Sequence, residues 1–111
     1  MRLSGKLVFA SVYENAVSQT RGPLKVFGAP NDLFHARLGL SVSRHVGTAP
    51  RRNRIKRLLR EAFRLMPQSR SLGYDLVFVV RPHEPLPLAA YQRLLAELSS
   101  KIGAHFTKRE E

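Results

Sequence analysis

The chain contains no cysteine. That excludes disulfides and thiolate metal sites, and it fits a reducing compartment, so a cytoplasmic location is expected. No apolar run approaches the roughly 18 residues that a membrane-spanning helix needs. Met1 to Val12 holds neither an apolar h-region nor a small-residue cleavage signature, so no signal peptide is expected. Acidic residues are scarce, 8 against 19 lysines and arginines. They are thinly scattered, which argues against a two-metal site built from protein carboxylates. The histidines His35, His45, His83 and His105 show no metal-ligand spacing. No Gly-x-Ser-x-Gly elbow surrounds Ser41 or Ser43, so neither reads as a nucleophile. A histidine acid-base pair, His45 with His83, is the one route to protein-based cleavage that spacing leaves open. No repeat, linker or shift in composition divides the 111 residues, so a single domain over 1–111 is expected.

What the chain has in excess is positive charge. The net charge is +11 and 43% of residues are hydrophobic. A core can form, and anionic partners are favoured. Arg51 to Arg64 concentrates the charge, with seven cations and one acid. Ile55, Leu58, Leu59, Ala62 and Phe63 recur at i, i+3, i+4, i+7 and i+8, which is one face of an α-helix. Asn53, Arg57, Arg60 and Arg64 fall on the opposite face. Guanidinium groups match phosphate with two parallel hydrogen bonds, so the segment suits a polyanion. The plain reading of such a face is solvated surface, but ordinary solvated helices mix signs. Arg60 and Arg64 can each pair locally with Glu61 or another acid, and for Arg64 the structural reading is about as good as the binding one.

The rest of the chain supplies a frame. Leu7 to Ala16 reads as a short helix capped by Ser4. Arg21-Gly22-Pro23 is a break, and Leu24 to Phe27 alternates as a strand does. Ala29-Pro30-Asn31-Asp32 signals a turn. Arg37 to Ser43 alternates with period two, placing Leu38, Leu40 and Val42 on one face. Gly39, Ser41 and Ser43 make the other face low and open to a second molecule. Thr48 is placed to cap the basic helix, with Pro50 in its first turn and a stop near Met66, before Pro67. Gln68 to Gly73 is a polar loop. Tyr74 to Val80 reads as a central strand. Arg81 to Pro87 is a connector with three prolines. Leu88 to about Phe106 is a second amphipathic helix, with Tyr91, Leu94, Leu95, Leu98 and Ile102 on one face, followed by a frayed charged tail. This order predicts an α+β fold in which helices cover one sheet.

The stretch RLGLSVSRHVGTAPRRNRIKRLLREAFR, Arg37 to Arg64, resembles the bacterial ribonuclease P protein component. Its centre is Arg52-Asn53-Arg54-Ile55-Lys56-Arg57. Phe9-Ala-Ser-Val12-Tyr13 is similar to the family's aromatic pair, and Gly73-Tyr74-Asp75, the apolar strand and Arg81-Pro82 extend the likeness over about residues 7–102. The resemblance implies an αβββαβα two-layer sandwich with one mixed sheet and a left-handed βαβ crossover. It also implies a subunit that binds the catalytic RNA of ribonuclease P and the 5′ leader of precursor tRNA. The RNA, with Mg²⁺ held mainly by RNA, would perform the cleavage, and the protein alone would be inactive.

Matched position by position, Arg52, Asn53, Arg54, Lys56, Arg57 and Arg60 are implied to contact the catalytic RNA. Phe9, Tyr13, Ser41, Ser43, Arg44 and His45 are implied to contact the leader. Without the resemblance, Phe9 and Tyr13 would read as core. His45 stands where the family usually has lysine, and Pro50-Arg51 where it has a more apolar pair. Stacking suits an unpaired leader because it tolerates any base, at about 1–3 kcal/mol per base. Phosphate contacts position RNA without reading its sequence. A ribosomal or general RNA-binding protein without a processing role is the alternative. A helix-turn-helix DNA binder is disfavoured because Leu38 to Val42 reads as strand, so no DNA partner is expected. A membrane surface is disfavoured because the basic helix lacks an exposed aromatic face.

Overall fold

The computed structural model describes residues 17–31, 37–66 and 73–110, with side chains placed as far as Ala104. The helix expected over Leu7–Ala16 and the loop expected over 68–72 lie outside these residues. The elements run β1 (Val17–Arg21), β2 (Leu24–Pro30), β3 (Arg37–Val42), a 3-10 turn (Arg44–Val46), α1 (Ala49–Arg64), β4 (Tyr74–Val80) and α2 (Leu88–Glu110). The four strands form one mixed sheet in the order β1-β2-β4-β3. β2 runs antiparallel to β1 and β4, whereas β3 and β4 are parallel. α1 is therefore the crossover of a βαβ unit, and β4 is the central strand that its apolar run predicts. The fold is α+β, as expected.

Alternation sorts the strands into two faces. Leu24 and Val26 of β2, Leu38 of β3, and Leu76, Phe78 and Val80 of β4 join Ile55, Leu59, Ala62 and Phe63 of α1 in one core. Tyr91, Leu95, Leu98 and Ile102 of α2 complete it. Leu58 and Leu94, expected with them, are half-buried at its rim. Each fully buried side chain of this kind contributes about 1.5–3 kcal/mol. Gly28 permits the closest approach of α2 to the sheet, because a Cβ there would stand 2.6 Å from Ile102 Cγ2. Among the described residues no helix is long and apolar enough to cross a membrane.

Three boundaries differ from the sequence reading. β1 is a strand where only a break was expected. Its residues VSQTR lack apolar alternation because it is an edge strand with three of five residues exposed. It turns into β2 through Gly22, whose φ of 57° is the conformation a tight hairpin needs at that point. β2 continues through Pro30, into the expected turn, pairing Ala29 with Asp75 and Pro30 with Tyr74. The described pairing of β1 reaches Gly28. α2 continues to Glu110 instead of fraying after Phe106, since no glycine or proline follows Gly103 to stop it.

Candidate nucleic-acid interface

α1 begins as its sequence dictates. The Thr48 Oγ1 accepts a hydrogen bond from the Arg51 backbone N–H at 3.4 Å, and Pro50 occupies the first turn. Gly47 lies before it with φ 149°, a region that favours glycine. With Ile55, Leu59, Ala62 and Phe63 buried, the helix cannot rotate, and its other side must face outward. Asn53, Arg54, Arg57, Arg60 and Arg64 are exposed, while Arg51, Arg52 and Lys56 are half-buried along its flanks. Two shallow depressions adjoin on this surface. Ala49, Pro50, Asn53, Arg54 and Arg57 line the first. Asn53, Arg57, Arg60, Glu61 and Arg64 line the second. Asn53 and Arg57 are thus the shared wall between two cationic recesses.

The cations of α1 are not equivalent. Arg64 pairs with Glu61 through both its Nε, at 3.1 Å, and its Nη2. That hydrogen bonding holds the Glu61 carboxyl below its ordinary range and raises the Arg64 guanidinium. Arg51 reaches Glu84 of the proline-rich connector at 3.2 Å. Among the described residues, Arg52, Arg54, Lys56, Arg57 and Arg60 have no acidic partner. The Nε of Arg52 is buried without a hydrogen-bond partner, which leaves that side chain a donor to spend. The six positions implied to meet catalytic RNA are therefore all on one helix, and their five cations are free of carboxylates.

The remaining expected contacts lie elsewhere. Ser41 is half-buried one residue before the end of β3, and Ser43, Arg44 and His45 are exposed along the turn that feeds α1. The open strand face is narrower than expected, because Gly39 is buried. Phe9 and Tyr13 lie outside the described residues. His83 is committed to structure. Its Nδ1 stands 2.8 Å from the Arg81 carbonyl and its Nε2 stands 2.7 Å from the Tyr91 hydroxyl. A carbonyl only accepts, so Nδ1 carries a proton. Both nitrogens are thus engaged within the fold.

Sequence reading missed the side-chain pairings on the sheet face opposite the helices. There Arg37 donates from Nε and Nη2 to the two Asp75 oxygens, each at 2.7 Å, and Asn31 Nδ2 donates at 2.9 Å. The hydrogen bond to Asp75 raises the Arg37 guanidinium above its ordinary range. On the same face Lys25 Nζ sits 5.0 Å from the centre of the Phe27 ring. The Lys-x-Phe alternation was the signal available for this contact.

The Ribonuclease P family profile matches residues 1–103 of this chain. The chain belongs to the ribonuclease P protein family. Ribonuclease P protein components of Caldanaerobacter subterraneus and Haemophilus influenzae are each 42% identical to it, over 73 and 82 residues. Those stretches cover 66% and 73% of this chain, and 63% and 68% of the relatives' own length. The ribonuclease P protein of Staphylococcus aureus superposes with a TM-score of 0.77 at 30% identity, covering 89% of this chain and 92% of that one. That of Thermotoga maritima gives 0.73 at 29% identity, covering 88% and 94%. The motif that carried the resemblance is thus the exposed row of α1, in the family fold.

Proposed function

We propose that this chain is the protein subunit of a ribonuclease P, binding its catalytic RNA through α1 and assisting removal of the 5′ leader from precursor tRNA. The observation that carries this reading is the set of five cations without an acidic partner among the described residues, on a helix locked in place by its buried face, in a member of this family. Arg52, Arg54, Lys56, Arg57 and Arg60 supply the charge, and Asn53 an amide that can both donate and accept. The helix backbone is formed before RNA arrives, so the ordering that binding requires on α1 is mainly that of its exposed side chains. Ser41, Ser43, Arg44 and His45 adjoin its start and, with Phe9 and Tyr13, are assigned to the leader.

Hydrolysis is assigned to the RNA. Among the described residues no three histidine or acidic side chains converge to hold a metal, so no step is routed through a protein-bound ion. The Mg²⁺ of the holoenzyme would be carried by RNA phosphates, and the protein's part is to bind, position and neutralise. Reconstitution tests the proposal. Added to a bacterial ribonuclease P RNA at low Mg²⁺, the chain should restore cleavage of precursor tRNA at the mature 5′ end, and it should cleave nothing alone. Failure to stimulate, with RNA binding intact, would favour a general RNA-binding role without processing.

A further inference from the structure

Arg51, Arg54, Arg57 and Arg60 follow one another at three-residue spacing. On a helix this makes a strip that winds from the flank onto the open face. Among the described residues three of the four have no acidic partner, and Arg51 has one. Its guanidinium is engaged by Glu84, 3.2 Å away, on a segment far off in sequence. Both partners are held in place by specific features. The Arg51 stem crosses Gly47 so closely that a Cβ there would stand 2.6 Å from Arg51 Cδ. Glu84 stands between His83, which bonds the Arg81 carbonyl and the Tyr91 hydroxyl, and Pro85. The connector is tied down further by Arg81 N–H to the Pro23 carbonyl at 2.8 Å and Leu86 N–H to the Tyr91 hydroxyl at 3.1 Å. The backbone that carries Glu84 is thus fixed, but its side chain remains 80% exposed. Nothing buried would be disturbed if that carboxylate swung away.

We propose that Glu84 is a built-in competitor for RNA phosphate, and that Arg51 is a latent RNA contact released when a phosphate displaces it. The inference rests on the function proposed above. α1 has no acid in its first turn, so its partial positive end and Arg51 together attract an anion. In the free protein Glu84 fills that role. A carboxylate and a phosphate oxygen offer guanidinium the same acceptor geometry, and the exchange trades one charge-assisted contact for another. An exposed pair of this kind is weak, so the exchange costs little. Its effect is to lower the affinity of the complex at one end of the strip.

The test measures binding of a bacterial ribonuclease P RNA transcript across a salt series, with melting temperatures as a check on folding. Glu84→Gln should tighten binding about two- to fivefold, the range of an exposed ion pair. The slope of log K against log salt should stay nearly the same, because Arg51 neutralises the same phosphate in both proteins, whereas Arg51→Ala should flatten it by about 0.7 to 0.9, one phosphate's worth. The gain in affinity should vanish in an Arg51→Ala background. Glu97→Gln is the control for general charge, since Glu97 pairs with Arg21 at 2.5 Å, away from α1. It should tighten binding less than Glu84→Gln does. Equal gains from the two variants, a gain that survives Arg51→Ala, or no gain from Glu84→Gln would each overturn the proposal. A lowered melting temperature without tighter binding would make Glu84 a structural brace and overturn it too. Wild-type protein that fails to bind the RNA would instead overturn the proposed function.

Discussion

Arg37 and Arg57 are the same residue used in opposite ways. Arg37 is half-buried and spends two donors on Asp75, which is itself 6% exposed. Arg57 is exposed and has no acidic partner among the described residues. The first ties β3 to β4 at the register Arg37 to Asp75, so it fixes the sheet and has little left to give a ligand. The second adds little to the fold, so its hydrogen-bonding capacity is available to phosphate. In a chain with so few acids, the placement of each carboxylate decides which arginines are structural and which remain free to bind.

The largest effect should come from breaking the structural pair. Asp75→Ala removes the acceptor that Arg37 uses twice, and loss of the charged partner in a partly buried pair costs about 2–3 kcal/mol. Calorimetry or thermal melting should show a fall of about 5–10 °C for a domain of this size. The fraction that remains folded should bind RNA as the wild type does. The reverse pattern is expected for Arg52→Ala with Arg57→Ala. Two charged contacts at about 1 kcal/mol or more each should weaken RNA binding by at least about tenfold, with melting nearly unchanged. If both variants lost stability and affinity together, the division between the two kinds of arginine would fail.

Tyr91→Phe sharpens the comparison from the core side. It removes the hydroxyl that serves His83 and Leu86, at a cost of about 1–2 kcal/mol at neutral pH. Burial pushes the Tyr91 phenol above its usual 10.0, against opposing pulls from the Leu86 hydrogen bond and the Arg54 charge. A raised pKa in the fold means that this stability is present below the unfolded value and lost as pH rises through it toward the folded one. Melting followed above about pH 10 should therefore decline in the wild type and decline less in Tyr91→Phe. Arg64→Ala should do least. Its charge is already held by Glu61 on the surface, so RNA affinity should change less than about twofold and the melting temperature hardly at all. A large loss of affinity in filter binding would show that Glu61 yields Arg64 to RNA.

The sequence made α1 legible in detail because three signals agreed. Thr48 and Pro50 marked its start, the apolar period from Ile55 to Phe63 fixed its buried side, and the surplus of arginine marked the other. Arg64 with Glu61 was legible too, because helical spacing alone brings them together. β1 was not, because an edge strand needs little apolar surface to hold its place. The pairs Arg37 with Asp75 and Arg51 with Glu84 were invisible, since each joins segments that only the completed sheet brings together. The site was therefore readable as a list of cations, but which of them are free depends on tertiary pairing. Phe9 and Tyr13 rest on the resemblance.

The most direct test of the free row is reconstitution at low Mg²⁺ with a bacterial ribonuclease P RNA and precursor tRNA, comparing the wild type with Arg52→Ala/Arg57→Ala/Arg60→Ala at equal protein concentration. The wild type should restore accurate 5′ cleavage, and the triple variant, still folded by its melting curve, should not. Equal stimulation by both would contradict the assignment of α1 as the RNA-binding face.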